Sequence, residues 1–374
     1  MDWSESGYLA LSALNVKNGY IDPSADAHYG DEELYNRWMG GRELRKGQVL
    51  FTTEAPMGNV AQVPDDKGYI LSQRTVAFET KEDLMTNDFL AILLKSPVVF
   101  NNLSALSSGG TAKGVSQKSL KGLSVTVPSD TNEQQKIGVF FKSLDDTIAL
   151  HQRQLKQLEL LKRALLQKLF PKTGETVPEL RFRDFNESWE QRKLGELSEI
   201  SRGASPRPIQ DPKWFDKDSD IGWLRIADVT EQNGRITQLE QKISNLAEEK
   251  TRVLLTPHLL LSIAATVGKP VINYVKTGVH DGFLIFYKPQ FDQEFMFQWL
   301  EMFRPKWQKY GQPGSQVNLN SELVKNQEIL LPSLDEQIKI STFFKTLDDT
   351  IALHQRKIKV YQQFKNSLLQ KMFI

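Results

Sequence analysis

The chain has no cysteine. That removes disulfide frameworks, cysteine-ligated zinc and thiol catalysis together. Charge of one sign is also missing: 47 basic against 46 acidic residues leave +1. A polybasic nucleic-acid tail would instead push its domain above a pI of about 9. The longest apolar run, Leu259 to Val267, already contains a serine and falls far short of the ~18 residues of a membrane span. The start, Met1-Asp2-Trp3-Ser4-Glu5, lacks the basic beginning and apolar core of a secretory signal, which reads as a cytoplasmic protein. No G-x-x-x-x-G-K-[ST] phosphate loop occurs, against an ATP-driven motor in this chain. The Asn/Asp-Pro-Pro-Tyr/Phe tetrapeptide of adenine methyltransferases is absent too.

What is present is a soluble globular composition, 40% hydrophobic and 25% charged over 374 residues. That length predicts two to three domains. The strongest signal is an internal repeat. Residues 133–170 and 336–373 are identical at 24 of 38 positions without a gap, and LDDTIALHQR (Leu144 to Arg153, Leu347 to Arg356) is unchanged. Asp130 precedes Glu133, and Ser333 precedes Glu336, at the spacing of a capping box. Pro171 closes the first copy, and Gly138 is its one internal glycine.

Apolar residues recur in a 4-3 alternation. The first copy reads Ile137, Phe141, Leu144, Ile148, His151, Leu155, Leu158, Lys162, Leu165, Leu169; the second reads Ile340, Phe344, Leu347, Ile351, His354, Ile358, Tyr361, Lys365, Leu368, Met372. This is a coiled-coil seam of period 3.5, and each helix finds its obvious partner in the other copy. Phe141, Leu144, Ile148, Leu155 and Leu158 are the expected pairing residues of one helix; Phe344, Leu347, Ile351, Ile358 and Tyr361 are those of the other. At 1.5 Å per residue such a helix is about 57 Å long. His151 and His354 read as polar layers that fix register, because neither helix offers a carboxylate or second histidine at ligand spacing.

Ahead of each helix lies a globular segment of similar plan and diverged sequence. Gly7-Tyr8-Leu9 parallels Gly222-Trp223-Leu224, and Val49 to Gly58 parallels Leu259 to Gly268. Helices over Asn87 to Lys95 and Gln293 to Phe303 come next. Gly-rich loops follow (Ser107 to Ser116, Gly311 to Asn320), then short strands in LSVTVPS and QEILLPS. The expected domains are 1–132, a first globule; 133–170, a first spacer helix; 171–335, a linker and second globule; and 336–374, a second spacer helix. Some 35 residues, Glu187 to Ile221, precede Gly222, whereas six precede Gly7. The first globule thus reads as N-terminally shortened, through a misplaced start, a truncation or completion by another segment.

The order globule–helix–globule–helix, the entry to each helix (a proline, three or four residues, then EQ-x-x-I) and the LDD-x-I-x-L core resemble the specificity subunit of a Type I DNA restriction–modification system. PELRFRDFNESWEQRKLGEL (Pro178 to Leu197) followed by GASPRP (Gly203 to Pro208) carries the same resemblance. It implies an α+β fold: two target-recognition domains of mixed sheet and helix, joined by two long antiparallel coiled-coil helices with pseudo-two-fold symmetry. It also implies a non-catalytic chain whose partners are double-stranded DNA with a bipartite target, two methyltransferase subunits and restriction/translocase subunits. S-adenosylmethionine, ATP and Mg would belong to those partners, with no cofactor or metal in this chain. Half-sites read from one face would lie about one helical turn, ~34–36 Å, apart.

Phosphates are held by Lys, Arg, Ser, Thr, Asn, Gln and backbone amides, and bases by Arg, Lys, Asn and Gln. The candidate DNA contacts in the first globule are Thr52, Thr53, Asn59, Gln73, Arg74, Thr111, Lys113 and Gln117. In the second they are Arg202, Ser205, Arg207, Ser262, Lys269, Gln312, Ser315, Gln316 and Asn318. Gly109, Gly110 and Gly314 would permit close backbone approach. The near-zero net charge predicts weak DNA binding by the isolated chain, since affinity for any duplex comes from phosphate neutralisation. Two rival readings remain. Asp65, Glu79 and Lys81 match the spacing of a Mg-dependent nuclease, although Val63 to Gly68 also reads as a hairpin turn between two strands. The chain could otherwise be a structural coiled-coil adaptor. Asp145-Asp146 and Asp348-Asp349 sit beside the seam and read as helix surface or partner contacts.

Overall fold

The structure, a computed structural model, describes residues 3–107, 114–263, 266–307 and 319–373. The chain divides into two compact units: residues 1–154 with 354–374, and residues 155–353. Each therefore holds one globule with a stretch of each long helix.

In the first unit, β1 (Tyr8–Leu11), β2 (Tyr29–Gly30), α1 (Glu32–Met39), β3 (Val49–Thr52), β4 (Val60–Gln62), β5 (Tyr69–Leu71) and β6 (Thr75–Phe78) precede three helices, α2 (Asn87–Lys95), α3 (Pro97–Ala105) and α4 (Gln117–Lys121). Helix α5 (Thr131–Lys168) follows. The strands form two three-stranded sheets, β2-β1-β5 and β4-β3-β6. Thr86, Ser96 and Ser116 cap α2, α3 and α4 through their side-chain oxygens, which satisfies amides the helices cannot. Val63 to Gly68 does turn the chain, but not as a hairpin: β4 pairs with β3 while β5 pairs with β1. The turn instead carries the chain from one sheet to the other.

In the second unit, β7 (Glu190–Lys193), α6 (Leu194–Leu197) and β8 (Glu199–Arg202) precede β9 (Gly222–Trp223), α7 (Ile226–Glu231), β10 (Arg235–Ile236), α8 (Asn245–Glu248), β11 (Arg252–Leu254), β12 (Leu259–Ser262), β13 (Pro270–Asn273), β14 (Thr277–Val279) and β15 (Phe283–Tyr287). Then come α9 (Gln293–Trp307), α10 (Ser321–Lys325), β16 (Glu328–Leu331) and α11 (Leu334–Met372). The sheets are β10-β13-β12-β15-β8, β11-β14-β9 and β16-β7. Five strands of each globule correspond. The β4-β3-β6 sheet repeats as β13-β12-β15, and the parallel pair β1–β5 repeats as β9–β14. The β7–α6–β8 segment has no such counterpart. QEILLPS contains β16, as expected, but LSVTVPS forms no strand. Residues 328–331 pair with β7; residues 124–127 have no equivalent strand to pair with among the described residues.

The 4-3 pattern of α5 and α11 is visible as burial: seam positions are buried or half-buried along both helices and their neighbours are exposed. Phe141 and Phe344 are fully buried, Leu144, Ile148 and Ile351 nearly so, and Leu155, Leu158, Leu347, Ile358 and Tyr361 half-buried. The last seam position is corrected. Met372 is 43% exposed, and Leu369 and Phe373 are buried in its place, because Phe373 closes on the rings of Phe89 and Phe141.

The polar seam residues are partners of one another. In the first unit Lys365 bonds Asp145 and His151 meets His354, so the two helical stretches there run antiparallel. In the second unit Lys162 meets Asp348 at 2.5 Å, the same pair from the other copies. The second histidine that neither helix supplies along its own length arrives from the facing helix, Nδ1 to Nδ1 at 3.0 Å. One ring donates and the other accepts, so the layer is at its best with a single proton between the two nitrogens.

The EQ motif at each helix start has a physical role in joining helix to globule. Gln134, fully buried, donates to the carbonyls of Leu84 and Pro128 at 2.9 and 2.8 Å and accepts from the Thr86 amide at 3.0 Å. Gln337 repeats this, donating to the Pro332 carbonyl and accepting from the Asp292 amide, both at 2.9 Å. Each glutamine thus ties its long helix to the N-terminus of the preceding domain helix, α2 or α9. Gly138 allows the same approach: a Cβ there would lie 2.6 Å from Asp88 Cβ. The reciprocal capping box is not made. Ser333 Oγ accepts from the Glu336 amide at 3.4 Å, but the Glu336 carboxylate is held by Arg181 through two bonds of 2.8 Å, a stronger charge-assisted pairing. Asp130 caps through the Asn132 amide.

Candidate nucleic-acid interface

The loop after β3 and the loop after β12 are closed by the same backbone bond. Gly58 donates to the Thr52 carbonyl at 2.9 Å, and Gly268 to the Ser262 carbonyl at 2.8 Å. Both glycines have positive φ, 97° and 78°, and a Cβ on either would collide with a ring, Phe100 or Trp307. These turns place several sequence candidates in the interior. Thr52 is fully buried, its hydroxyl donating to the Pro56 carbonyl and accepting from the Asn59 amide. Ser262 is fully buried. The Asn59 side chain donates to the Val16 carbonyl, and Lys269 is paired with Glu301 of α9. Thr52 closes its loop on itself, while Asn59 and Lys269 tie their loops to Val16 and Glu301.

Two groups of candidates are brought together instead. In the first unit, Thr53 donates from its amide to the Arg74 carbonyl at 2.9 Å and accepts from the Val115 amide at 2.9 Å. Arg74 is exposed and paired with Glu54 at 2.9 Å, beside exposed Gln73. Gln117 is exposed on α4 a few residues on. Thr111 and Lys113 lie outside the described residues, as do Gly109 and Gly110. In the second unit, Arg202, Ser205 and Arg207 converge on Asp281, in the loop between β14 and β15. Ser205 donates to its carboxylate at 2.7 Å, Arg207 at 2.8 Å, and Arg202 to its backbone carbonyl at 2.5 Å. Burial pushes the Asp281 carboxyl up, but Ser205, Arg207 and Arg202 outweigh it and hold the carboxyl below its usual value. Beside it, burial lowers His280, whose Nδ1 accepts from the Gly282 amide at 2.9 Å. Gln312, Ser315, Gln316, Asn318 and Gly314 lie outside the described residues.

The two groups occupy the same place in the frame, the loop entering β6 or β15. Thr53 donates to Arg74 there as Ile263 donates to Gly282. In one unit that loop offers Gln73 and Arg74; in the other the matching positions are Asp281 and Gly282, with His280 just before them. Asp281 was not foreseen, because a list built on phosphate and base donors passes over acids. Its signal was the cluster of three candidates within residues 202–207, which needs an anion to hold it.

The nuclease spacing is not assembled into a site. Asp65 accepts from the Tyr69 hydroxyl at 2.8 Å and pairs with Lys67 at 3.0 Å within its own turn, and Glu79 and Lys81 are exposed beyond β6. Asp145 and Asp348 are correspondingly seam residues. Asp348 also receives Arg235 at 3.1 Å and Gln298 at 2.8 Å.

The family model for the Type I restriction modification DNA specificity domain matches residues 40–160 and 186–362. The Type I restriction enzyme MjaVIII specificity subunit of Methanocaldococcus jannaschii is 23% identical over 328 residues, 83% of this chain and 75% of that protein. The MjaIX specificity subunit of the same organism is 23% identical over 347 residues, 88% of this chain and 78% of that one. Among solved structures, the S subunit of a Type-I restriction-modification system from M. genitalium has a TM-score of 0.66 at 15% identity, covering 100% of this chain and 90% of that chain, a likeness of fold. Two matched blocks, each taking in most of a globule and much of its long helix, place this chain in the Type I restriction–modification DNA specificity family.

Proposed function

We propose that the chain reads a bipartite duplex target, one half through the loops of each globule, for methyltransferase subunits that dock on its long helices. The observation that carries this is the shared frame with exchanged loop residues. The strand plan repeats, while the loop entering β6 or β15 changes from Gln73-Arg74 to Asp281-Gly282. Arginine and glutamine suit guanine and adenine edges, and a carboxylate accepts from cytosine N4. Diverged loops on one scaffold suit two unrelated half-sites.

Docking of the same partner twice is supported by apolar side chains that recur on the open faces of both helices. Phe140 and Phe343 are 45% and 39% exposed, Leu150 and Leu353 51% and 47%, and Leu161 and Phe364 49% each. On this reading the chain performs no chemistry. S-adenosylmethionine, ATP and Mg serve the methyltransferase and restriction subunits, and the chain supplies address and assembly.

The test is methylation mapping in cells that express the chain with its methyltransferase partner. Replacing residues 187–335 with those of a relative should change one half of the methylated sequence and leave the other half intact. An unchanged target would refute the assignment of one half-site to each globule.

A further inference from the structure

Asp145 and Asp348 hold the same place in the two copies of the long helix, and each meets a lysine of the facing helix, Lys365 or Lys162. Among the described residues, Asp348 alone is also reached from a strand of its globule. Arg235, on β10, donates to Asp348 at 3.1 Å and to Glu294 of α9, and its guanidinium lies 4.4 Å from the centre of the Phe297 ring. Gln298 of α9 donates to the same Asp348 oxygen at 2.8 Å, and the Tyr274 hydroxyl donates to Glu294. Arg235, Glu294 and Asp348 are each no more than 17% exposed. An arginine fork can serve two carboxylates and stack on a ring, which a lysine ammonium cannot. Gly234 places β10 for this: its φ is 78°, and a Cβ there would lie 2.4 Å from the Pro270 carbonyl oxygen of β13.

The first unit lacks this clamp. A glycine of positive φ, Gly19, also passes the equivalent strand β4 and donates to the Val60 carbonyl at 2.8 Å. The residue after it, however, is Tyr20, 59% exposed. Counted from the capping residues Thr86 and Asp292, the positions of Glu294 and Gln298 are held by Asp88, which accepts from Gln62, and by apolar Ile92. Asp145 finds its second cation at the end of α2, Lys95 at 3.9 Å.

We propose that Arg235 is a positioning residue for half-site spacing. It holds the second globule's sheet, and the loop entering β15 that the sheet carries, at one setting on the stretches of α5 and α11 in its own unit. The inference rests on the bipartite reading given above. Arg235 reads no base in it and decides where the second half-site is accepted. One base pair more or less between half-sites asks a reading loop to shift by about 3.4 Å along the duplex, and a charged clamp on the sheet resists that shift.

The test maps methylated sites in cells that express the full chain with its methyltransferase partner. The wild type should show one spacing. Arg235→Ala should keep both half-site sequences and raise methylation of targets one base pair longer or shorter by about tenfold. The double variant Arg235→Met/Glu294→Gln should do the same. It removes one charge of each sign and leaves Lys162 with Asp348, so no buried charge loses its last partner, and it decides the matter if Arg235→Ala does not fold. Lys95→Met should leave the spacing single. A single spacing in the folded variants would overturn the inference. So would a uniform fall in methylation at unchanged spacing, an altered half-site, or equal broadening by Lys95→Met. A wild-type map without a bipartite target would overturn the reading beneath it, and the inference with it.

Discussion

The first unit builds its central sheet from three strands and the second builds the equivalent sheet from five. The three shared strands are the ones that hold the candidate DNA-facing loops. Those loops keep the same backbone bonds in both, from Thr53 to Arg74 and from Ile263 to Gly282. The added strands β8 and β10 therefore do not create the loop. β8 lies beside β15 and delivers Arg202, with Ser205 and Arg207 just beyond it, while β10 lies at the opposite edge of the sheet. The loop entering β6 has no strand beside it among the described residues, whereas the loop entering β15 has β8, and the charged residue on the loop changes from an arginine to an aspartate.

The comparison can be broken most severely at the seam. Asp348 faces Lys162 and Arg235 and is 15% exposed, whereas Asp145 is 31% exposed and its second cation, Lys95, is 3.9 Å away. Asp348→Ala should cost roughly 3–5 kcal/mol, the range for stripping one partner from a buried charge pair. Asp145→Ala should cost clearly less; equal losses in chemical denaturation would contradict the asymmetry. Burial pushes the Asp348 carboxyl up, but Lys162, Gln298 and Arg235 hold it below its ordinary value of 3.8. Its stabilising contribution is thus complete above that ordinary value and is lost as pH falls through the depressed one.

Next in size are the buried glutamines. Gln134→Ala removes three bonds and Gln337→Ala two. Groups left buried without partners cost about 1–3 kcal/mol each, less whatever water recovers. Both variants should melt several degrees lower, and Gln134→Ala should lose more. Leu150→Asp and Leu353→Asp, at exposed positions, should leave melting nearly unchanged while weakening co-purification with the methyltransferase; normal complex yield would remove these faces from the docking surface.

Smaller again is the loop. Arg207→Ala should relax discrimination in one half-site by about 1–3 kcal/mol, the value of one good base contact, and methylation mapping would show it as degeneracy at one position. The smallest effect concerns His354, which burial, His151 and Lys357 together lower from 6.5. A lowered histidine destabilises as it charges, so stability should begin to decline as pH drops through 6.5. His354→Gln should flatten that decline, and an unchanged pH profile would count against a charge-sensitive layer.

The long helices were legible in the sequence because two near-identical copies with a 3.5 period leave one reading, and the correspondence of the globules was legible from small motifs. Ring contacts and ion pairs were less so. Lys162 and Asp348 are 186 residues apart, and a pattern along one helix marks a polar layer without saying which residue answers it. Among the loop candidates, the sequence did not say which reach the surface: Arg74, Arg202 and Arg207 are exposed, whereas Thr52 and Ser262 are buried. A hydroxyl that closes a turn and one that meets a phosphate are the same residue type in the same kind of loop. Burial separates them, and burial is set by the strands on either side.

The three polar layers of the paired helices act as a keyed lock on sliding. A slip of one heptad would set the Asp145 carboxylate against Ile358 or Met372 rather than Lys365, and part His151 from His354. Aliphatic seams such as Leu against Leu tolerate such a slip, since one hydrocarbon contact replaces another. Here it would leave the half-buried Asp145 and Lys365 without each other. An insertion in one helix alone would therefore be rejected, and the pair can change length only if both helices change together.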